Sequence, residues 1–278
     1  MSNLQIRNLR PEEISLAVDW AAAEGWNPGL RDAACFAISD AQGFFVGEID
    51  GEPVATVSCV SYDDRFSFLG FYIVRQDLRG AGHGLRIWNA AIAHAGARVI
   101  GLDGVVAQQD NYKKSGFRLA YANIRYGGTI AAPPPPAGVV ALDTVPFALV
   151  EADDATVFPA ARSAFLRAWI NTPGHTGRAL LRDGKLTAWG VIRPCRNGCK
   201  IGPLVADDRA AADAIVQALL ASAGGEVFLD VPAINREAIA LAETLGLKPV
   251  FETARMYTGD IAPLRIDRVF GVTSFELG

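Results

Sequence analysis

The most informative stretch of the chain reads Arg79-Gly80-Ala81-Gly82-His83-Gly84. It lies between an apolar run that ends at Val74 and residues 85–95, whose apolar side chains recur at helical spacing. Glycines in such a turn let the backbone approach an anion closely, and the free N–H groups of the new helix point at that anion. The stretch therefore predicts a pyrophosphate-binding loop at the start of a helix.

Other classes of glycine loop fit the stretch less well. A dinucleotide fingerprint needs a glycine at position 85, which is Leu85, and another directly after the strand, where residues 75–79 intervene. Asp103, about twenty residues further on at a strand end, keeps that alternative open. The Gly-Lys-Ser/Thr of a P-loop is absent, and a glycine turn without any ligand is the remaining alternative.

Three ordered motifs make the first half of the chain resemble the GNAT acetyltransferase superfamily. The acetyl-CoA loop of that family, Gln/Arg-x-x-Gly-x-Gly/Ala, is matched by Arg79, Gly82 and Gly84. Residues 71–74, Phe-Tyr-Ile-Val, are similar to the central strand that splays from its neighbour and offers backbone groups to the pantetheine arm. Residues 111–117 are similar to the family segment Asn…Tyr-x-x-x-Gly-Phe. The resemblance implies acetyl-CoA as co-substrate.

The resemblance also implies which residues contact the co-substrate. The backbone N–H groups of the loop would hold the pyrophosphate, and two strand residues would pair with the pantetheine amides and direct an N–H at the thioester carbonyl. His83 would lie beside phosphate and not act as a base. The resulting cofactor-binding set is Tyr72, Val74, Arg79, Gly80, Ala81, Gly82, His83, Gly84 and Asn111.

The catalytic assignments are fewer. Tyr112 corresponds to the tyrosine that protonates the departing thiolate in many members, with an ordinary packed aromatic as the alternative. A carboxylate commonly takes the proton of the acceptor, and Glu24, Asp32, Asp64 and Asp103 lie near predicted strand ends or early helices. Among these we favour Asp103 or Glu24 as the base, with surface or helix-terminal carboxylates as the alternative interpretation.

The length and the punctuation of the chain indicate two modules. At roughly 150 residues per domain, 278 residues favour two domains over one. The prolines at 133–136 cannot sit inside a helix or a central strand and predict a stiff spacer. We predict an acetyl-CoA-binding GNAT domain at 1–128, a proline-rich linker at 129–146 and a degenerate GNAT-like domain at 147–278.

The two halves are predicted to share one element order, which is typical of an internal repeat. In the first half the predicted strands are 4–9, 43–49, 53–62, 66–74, 99–105 and 118–125, with helices at 11–24, 30–38, 85–95 and 111–115. In the second half the predicted strands are 147–150, 177–182, 185–193, 200–205, 227–230 and 251–258, with helices at 155–170, 208–223 and 235–245. The fold class is mixed α/β: two modules, each a mixed, mostly antiparallel sheet flanked by helices. Two unrelated domains with the same element order are the alternative.

The repeat also predicts what the second half has lost. A shift of 130 residues carries Arg79 onto Arg209 and Tyr112 onto Ala242, and every glycine of the loop becomes alanine. Asp207, Asp208 and Asp213 add negative charge where a pyrophosphate would lie. The second module would then serve as structural cover or as a wall of the acceptor pocket, and we favour the wall.

Composition excludes several function classes. Lys+Arg 26 against Asp+Glu 30, without basic blocks, argues against nucleic acid. No apolar run is long enough to span a membrane, and the first residues lack a signal peptide, so we expect a cytoplasmic protein. Cys195 and Cys199 flank a predicted turn, and no metal site is expected. Oligomeric state is left open.

Together these observations predict an N-acetyltransferase that moves an acetyl or acyl group from acetyl-CoA to the amine of a small molecule, by direct attack in a ternary complex. The alternatives are an acyl-CoA-binding regulatory protein without turnover and a protein-lysine acetyltransferase.

Overall fold

The computed structural model describes residues 4–278, so the first three residues of the predicted first module lie outside the described part. The strands are β1 (Gln5–Asn8), β2 (Phe44–Ile49), β3 (Glu52–Ser61), β4 (Phe66–Val74), β5 (Val99–Val105), β6 (Arg118–Ile130), β7 (Val139–Ala141), β8 (Thr176–Arg182), β9 (Lys185–Pro194), β10 (Cys199–Ala206), β11 (Gly225–Pro232), β12 (Lys248–Tyr257) and β13 (Val269–Gly271). The helices are α1 (Ile14–Ala23), α2 (Asp32–Ser39), α3 (His83–Ala95), α4 (Gln109–Lys114), α5 (Phe147–Asp154), α6 (Ser163–Asn171), α7 (Arg209–Leu220) and α8 (Arg236–Thr244).

The strands form one sheet in the order β1-β2-β3-β4-β5-β12-β6-β11-β10-β9-β8-β7, with β13 paired to β10. Neighbours are antiparallel except β4 with β5 and β10 with β11, which are parallel. Helix α3 packs on β2, β3 and β4, and α7 packs on β8, β9 and β10. The mixed, mostly antiparallel sheet flanked by helices that the sequence predicts is therefore confirmed.

The internal repeat is visible in equivalent hydrogen bonds. In the first half the backbone N–H of Phe117 donates to the backbone carbonyl of Tyr112. In the second half, 130 residues later, the backbone N–H of Leu247 donates to the backbone carbonyl of Ala242, and both distances are 3.1 Å. The two Asp-Gly hairpin turns also match, because Asp50 and Asp183 both have φ of 52°. The halves are two copies of one element order.

The two halves exchange their last long strands. Strand β6 follows β5 along the chain, yet it pairs with β11 and β12. Strand β12 of the second half lies between β5 and β6 and pairs with both. Each half therefore completes its sheet with a strand from the other, an arrangement that the element order alone does not reveal.

Two predicted elements of the second half are wrong. The apolar run 147–150, predicted as a strand, begins α5, because Pro146 precedes a short run that also fits a helix turn. The predicted helix 155–170 is confined to α6, since residues 155–162 make turns around the buried ion pair of Asp154 with Arg162. The short strand β13 and the segment after it were not predicted.

Other elements differ in extent. Strand β6 runs five residues beyond the predicted end at 125 to Ile130, because β11 pairs with it along its whole second half. Residues 139–141 of the predicted linker form β7 and pair with β8. The predicted turn between Cys195 and Cys199 is confirmed, since Cys195 N–H donates to the Gly198 oxygen at 2.9 Å.

Candidate active site

Strands β4 and β5 diverge and open a cavity of about 640 Å³ between them. Their parallel pairing ends at Leu69 opposite Leu102, and residues 70–74 and 103–105 then line the opening. On its other edge β4 slips register against β3 between Gly70 and Ile73, and Phe71 takes a φ of 49°. Such a bulge frees backbone groups from the ladder, so β4 can offer them to a bound molecule.

The glycine loop forms one end of this cavity. Gly82 is the N-cap of α3 with a φ of 84°, a conformation that glycine adopts without strain. Within residues 4–278, no side chain caps the N-terminus of α3. The first N–H groups of the helix are therefore free for an anion, and the positive end of the helix dipole favours one.

The arginine of the loop is tied to the end of β4. Arg79 donates from Nε to the Val74 oxygen at 2.9 Å and from Nη2 to Glu24 Oε1 at 2.6 Å. Both Arg79 and Glu24 line the cavity. Glu24, predicted as a base, is thus the ion-pair partner of Arg79 at the loop end of the cavity.

Tyr112 lies in the wall of the cavity. It is 7% exposed and stacks on Trp88 at 5.7 Å between ring centroids, and Tyr72 meets the same indole edge-on at 5.1 Å. Burial raises the pKa of Tyr112 to about 12. The phenol therefore stays protonated at neutral pH, as a proton donor must.

The remaining predicted ligands lie at different places. Tyr72, Val74, Gly80, Gly82 and Gly84 line the cavity. Ala81 lies in the exposed loop and His83 opens α3, half-buried. Asn111 sits on the exposed side of α4, where its amide donates to Gln108 at 2.8 Å. Asn111 thus stabilises its own helix.

The other predicted base is already engaged. Asp103 lines the cavity, but Arg255 donates to its carboxylate at 2.6 and 2.9 Å and Asn123 donates at 2.7 Å. Asp32 is buried in an ion pair with Arg193, and the Asp64 side chain is 91% exposed. The four candidate carboxylates are therefore not brought together in one place.

The second half of the chain supplies one wall of the cavity, and sequence reasoning missed its residues. Phe251 and Thr253 come from β12, and Phe275 and Glu276 come from residues 272–278, which we name the tail. The sequence predicted that the second module forms a pocket wall, but it did not indicate which residues do so. Their identity depends on the exchanged strand and on the path of the tail.

The corresponding slot of the second half is filled by its own chain. Parallel pairing of β10 with β11 ends at Ile201 opposite Leu229. Beyond that point β13 pairs with β10, and the backbone N–H of Val272 donates to the backbone carbonyl of Asp230 at 2.8 Å. At the start of α7 the side chain of Asp208 accepts from the Ala211 N–H at 2.7 Å, so the helix is capped internally.

The tail is held firmly after it leaves this slot. Tyr62 donates to the Leu277 oxygen at 2.8 Å, and Arg162 donates to the Gly278 oxygen at 2.9 Å and to Thr273 Oγ1 at 3.0 Å. The whole tail is buried, and it crosses from the filled slot of the second half to the open cavity of the first.

Comparisons with known proteins agree with this architecture. Residues 6–117 match the model of the acetyltransferase (GNAT) family, and residues 150–271 match an acetyltransferase (GNAT) domain model. The chain is 34% identical over 274 residues to holothin acyltransferase of Pseudoalteromonas sp. (strain SANK 73390), covering 96% of this chain and 92% of the relative.

Solved structures share the fold over the full length. A candidate acetyltransferase of Pyrococcus horikoshii superposes with a TM-score of 0.85 at 22% identity, covering 100% of this chain and 97% of the other. A tandem GNAT protein from the clavulanic acid biosynthesis pathway superposes with a TM-score of 0.64 at 16% identity, covering 93% and 99%. Within residues 4–278, no helix has both the length and the apolar character needed to span a bilayer. The open slot, the filled slot and these matches lead to one conclusion: the chain belongs to the GNAT acetyltransferase family, as an acyltransferase with two GNAT domains in tandem.

Proposed function

We propose that the protein transfers an acyl group, acetyl in the first instance, from acyl-CoA to the amine of a small molecule. The observation that carries the proposal is one continuous cavity. It begins at the uncapped N-terminus of α3, follows residues 74 to 70 of β4, and ends at the wall that the second half supplies. At about 3.3 Å per residue, this stretch of β4 covers roughly 13 Å.

The loop end fits the pyrophosphate of CoA. Free N–H groups, an exposed glycine loop and the helix dipole provide the donors that an anion requires. The pantetheine arm would then lie along the diverging edge of β4, where Tyr72 and Val74 offer backbone groups. The bulge at Phe71 supports a free N–H near the thioester carbonyl, where negative charge develops during attack.

The reaction proceeds by direct attack. The acceptor nitrogen attacks the thioester carbon, the C–N bond forms, and the C–S bond breaks as the tetrahedral intermediate collapses. The thiolate takes a proton from Tyr112, and the nitrogen loses a proton to a base. No covalent enzyme intermediate is required.

The acceptor end favours a small molecule. Phe251, Thr253, Phe275 and Glu276 line it, and the last three of these are buried. An end lined by aromatic side chains suits a compact acceptor better than an extended lysine-bearing peptide. Because a relative is a holothin acyltransferase, holothin is the first acceptor to test.

Thiol release provides the test. The full chain is incubated with acetyl-CoA and with longer acyl-CoA thioesters, each with holothin, a panel of primary amines or a lysine peptide. Free thiol is measured, and mass spectrometry identifies the acylated product. We expect release with holothin or a small amine. CoA binding without release from any acceptor would indicate the regulatory alternative, and release with the peptide alone would indicate a protein-lysine acetyltransferase.

A further inference from the structure

Glu276 is an unusual residue at the acceptor end of the cavity. It is 2% exposed, and within residues 4–278 neither of its carboxylate oxygens has a hydrogen-bond partner. It nevertheless lines the cavity. A buried carboxylate without partners is destabilising, so its presence calls for an explanation in binding or catalysis.

The tail places the backbone of Glu276 against β4, the strand of the proposed donor site. A Cβ atom at Gly70 of β4 would overlap the Glu276 backbone oxygen, so the glycine allows the two backbones to touch. Gly70 directly precedes the bulged Phe71. Strand β4 contains no acidic residue of its own, and the tail brings one to Gly70, beside the bulge to which the proposed function assigns the thioester carbonyl.

Buried cations surround the same position. Arg125, Arg193 and Lys200 lie within electrostatic range of Glu276. Arg125 pairs with Asp230 at 2.6 Å and Arg193 pairs with Asp32 at 3.0 Å. Besides Glu276, two carboxylates, those of Asp230 and Asp32, are paired with members of this group of three cations. Attraction from the cations offsets part of the cost of burying a charged Glu276.

A second polar atom of the wall is also unsatisfied. Thr253 of β12 is 2% exposed, and its hydroxyl has no hydrogen-bond partner within residues 4–278. Thr253 lines the cavity together with Glu276. By contrast, Asp103 Oδ2 and Glu24 Oε1 each accept from an arginine at 2.6 Å.

We propose that Glu276 accepts the proton of the acceptor amine, and that Thr253 binds the acceptor beside it. The inference rests on the proposed acyl transfer. As the C–N bond forms, the proton leaves the nitrogen for the Glu276 carboxylate, while Tyr112 protonates the thiolate. Solvent then returns a proton from Glu276 to Tyr112 after the products leave, so the cycle balances.

The test uses the full chain with acetyl-CoA and holothin, or with the fastest amine of the panel. Glu276→Gln keeps the shape and removes the base, and we expect the single-turnover rate to fall by about 10²- to 10⁴-fold. The Kd for CoA should stay within about twofold, because the loop end is untouched. Thr253→Val should raise KM for the acceptor more than it lowers kcat.

Glu252→Gln is the matched control, since Glu252 lies next to Thr253 on β12 but is exposed to solvent. It should leave rate and KM unchanged. A Glu276→Gln rate within about twofold of the parent overturns the inference and leaves acyl transfer standing. Equal losses of rate and CoA affinity also overturn it, because they indicate a structural carboxylate.

Two further outcomes bear on the inference: a Glu276→Gln variant that does not fold, and a parent protein that releases no thiol. If Glu276→Gln does not fold, Glu276→Asp, which keeps the charge, replaces it: a loss of about tenfold or more with CoA affinity and Tm retained supports the inference, and a parental rate overturns it. If the parent releases no thiol with any acceptor, the proposed function fails, and the inference fails with it.

Discussion

Helices α3 and α7 occupy equivalent positions in the two halves, yet they begin in opposite ways. Gly82 starts α3 in a left-handed conformation and leaves its N–H groups uncapped within the described residues, whereas Asp208 caps α7 through the Ala211 N–H. The strands beside α3 part around a cavity, and the gap beside α7 is filled by β13. Under the proposed function, the fold holds an anion only where glycine replaces a cap and no strand fills the slot.

Under the proposed function, the comparison also gives the second half a role although its own slot is filled. The segment that fills its slot continues as the tail, and the tail reaches the cavity of the first half. Together with β12, it supplies one wall of that cavity. One continuous stretch of chain thus fills the slot of the second half and lines the cavity of the first.

Separation of the halves should have the largest effect. All predicted CoA ligands lie in residues 1–128, which suggested a self-sufficient module, but that fragment lacks β12, which lies between β5 and β6. We expect the fragment to show no cooperative thermal transition and no CoA binding, because the edge of β5 and much of the core lose their cover. Circular dichroism and calorimetry check this. A folded fragment that binds CoA would show that the exchanged strand is dispensable.

Gly82→Asp should have the next largest effect. The Kd for CoA should rise by about 100-fold or more, because a carboxylate against phosphate costs several kcal/mol. Gly82→Ala introduces the same strain at a φ of 84° without the charge and separates the two causes. Isothermal calorimetry gives both affinities.

The control in the second half is Ala210→Asp, although the shift of 130 residues pairs Gly82 with Ala212. Ala210 is exposed at the start of α7, whereas Ala212 is 0% exposed and would test core packing instead. Ala210→Asp should leave CoA affinity unchanged, with one CoA bound per chain. A stoichiometry of two would contradict the asymmetry of the halves.

Tyr112→Phe tests the position that is Ala242 in the second half. The chemical step should fall by about ten- to several hundred-fold, while CoA affinity hardly changes. Because burial raises the pKa of Tyr112 to about 12, the parent should show no loss of rate from tyrosine ionisation in the neutral range or at moderately alkaline pH. Single-turnover rates across pH measure both.

Tyr126→Phe is the control, since Tyr126 is equally buried but packs in the core of the second half. It should lower Tm slightly, by the loss of at most one hydrogen bond, and leave the rate intact. A Tyr112→Phe rate within about twofold of the parent, with a lowered Tm, would assign Tyr112 to packing.

Asp208→Ala should have the smallest effect. Loss of the cap should lower the free energy of unfolding by about 1 kcal/mol without creating a CoA site, because β13 still fills the slot. Arg182 and then the Ala211 N–H lower the pKa of Asp208. The cap therefore contributes its full stabilisation at pH values above the pKa of Asp208 in the unfolded chain. This contribution is lost as the pH falls through the lower pKa of Asp208 in the folded protein, so in acid the stability of the variant should approach that of the parent.

Asp213→Ala serves as the comparison for this variant, because it removes a half-buried ion pair with Arg209 within α7 and no helix cap. Its cost should be about 0.5 kcal/mol or less. Denaturant unfolding at two pH values measures both variants. Equal costs would show that the Asp208 cap contributes no more than a surface charge.

Local patterns predicted most elements because their signals are local. The bounds of β4 and β5 match the predicted 66–74 and 99–105, since each is a short apolar, β-rich run between turn residues. The strand predicted at 147–150 is wrong because the local signal is ambiguous there: four apolar residues after Pro146 fit a helix as well as a strand. Of the site, the loop, Tyr72, Val74 and Tyr112 could be located, because each belongs to a motif within one segment.

Asp103 and Glu24 illustrate the limit of such reasoning. Both were placed near the cavity from their positions in the chain, and both line it. The ion pair of Arg255 with Asp103 depends on β12 crossing into the first half, because the two residues are 152 positions apart in the sequence. No local pattern encodes a contact at that separation.

Spacing and side-chain type in the sequence were sufficient for the repeat, the glycine loop in one copy and its loss in the other, since turn, cap and helix preferences act over a few residues. The exchange of β6 and β12, the filling of the second slot by β13 and the arrival of Glu276 at Gly70 were decided by the tertiary structure. These features join residues far apart in the chain, and they form because buried backbone and apolar surface find their best partners in the other half.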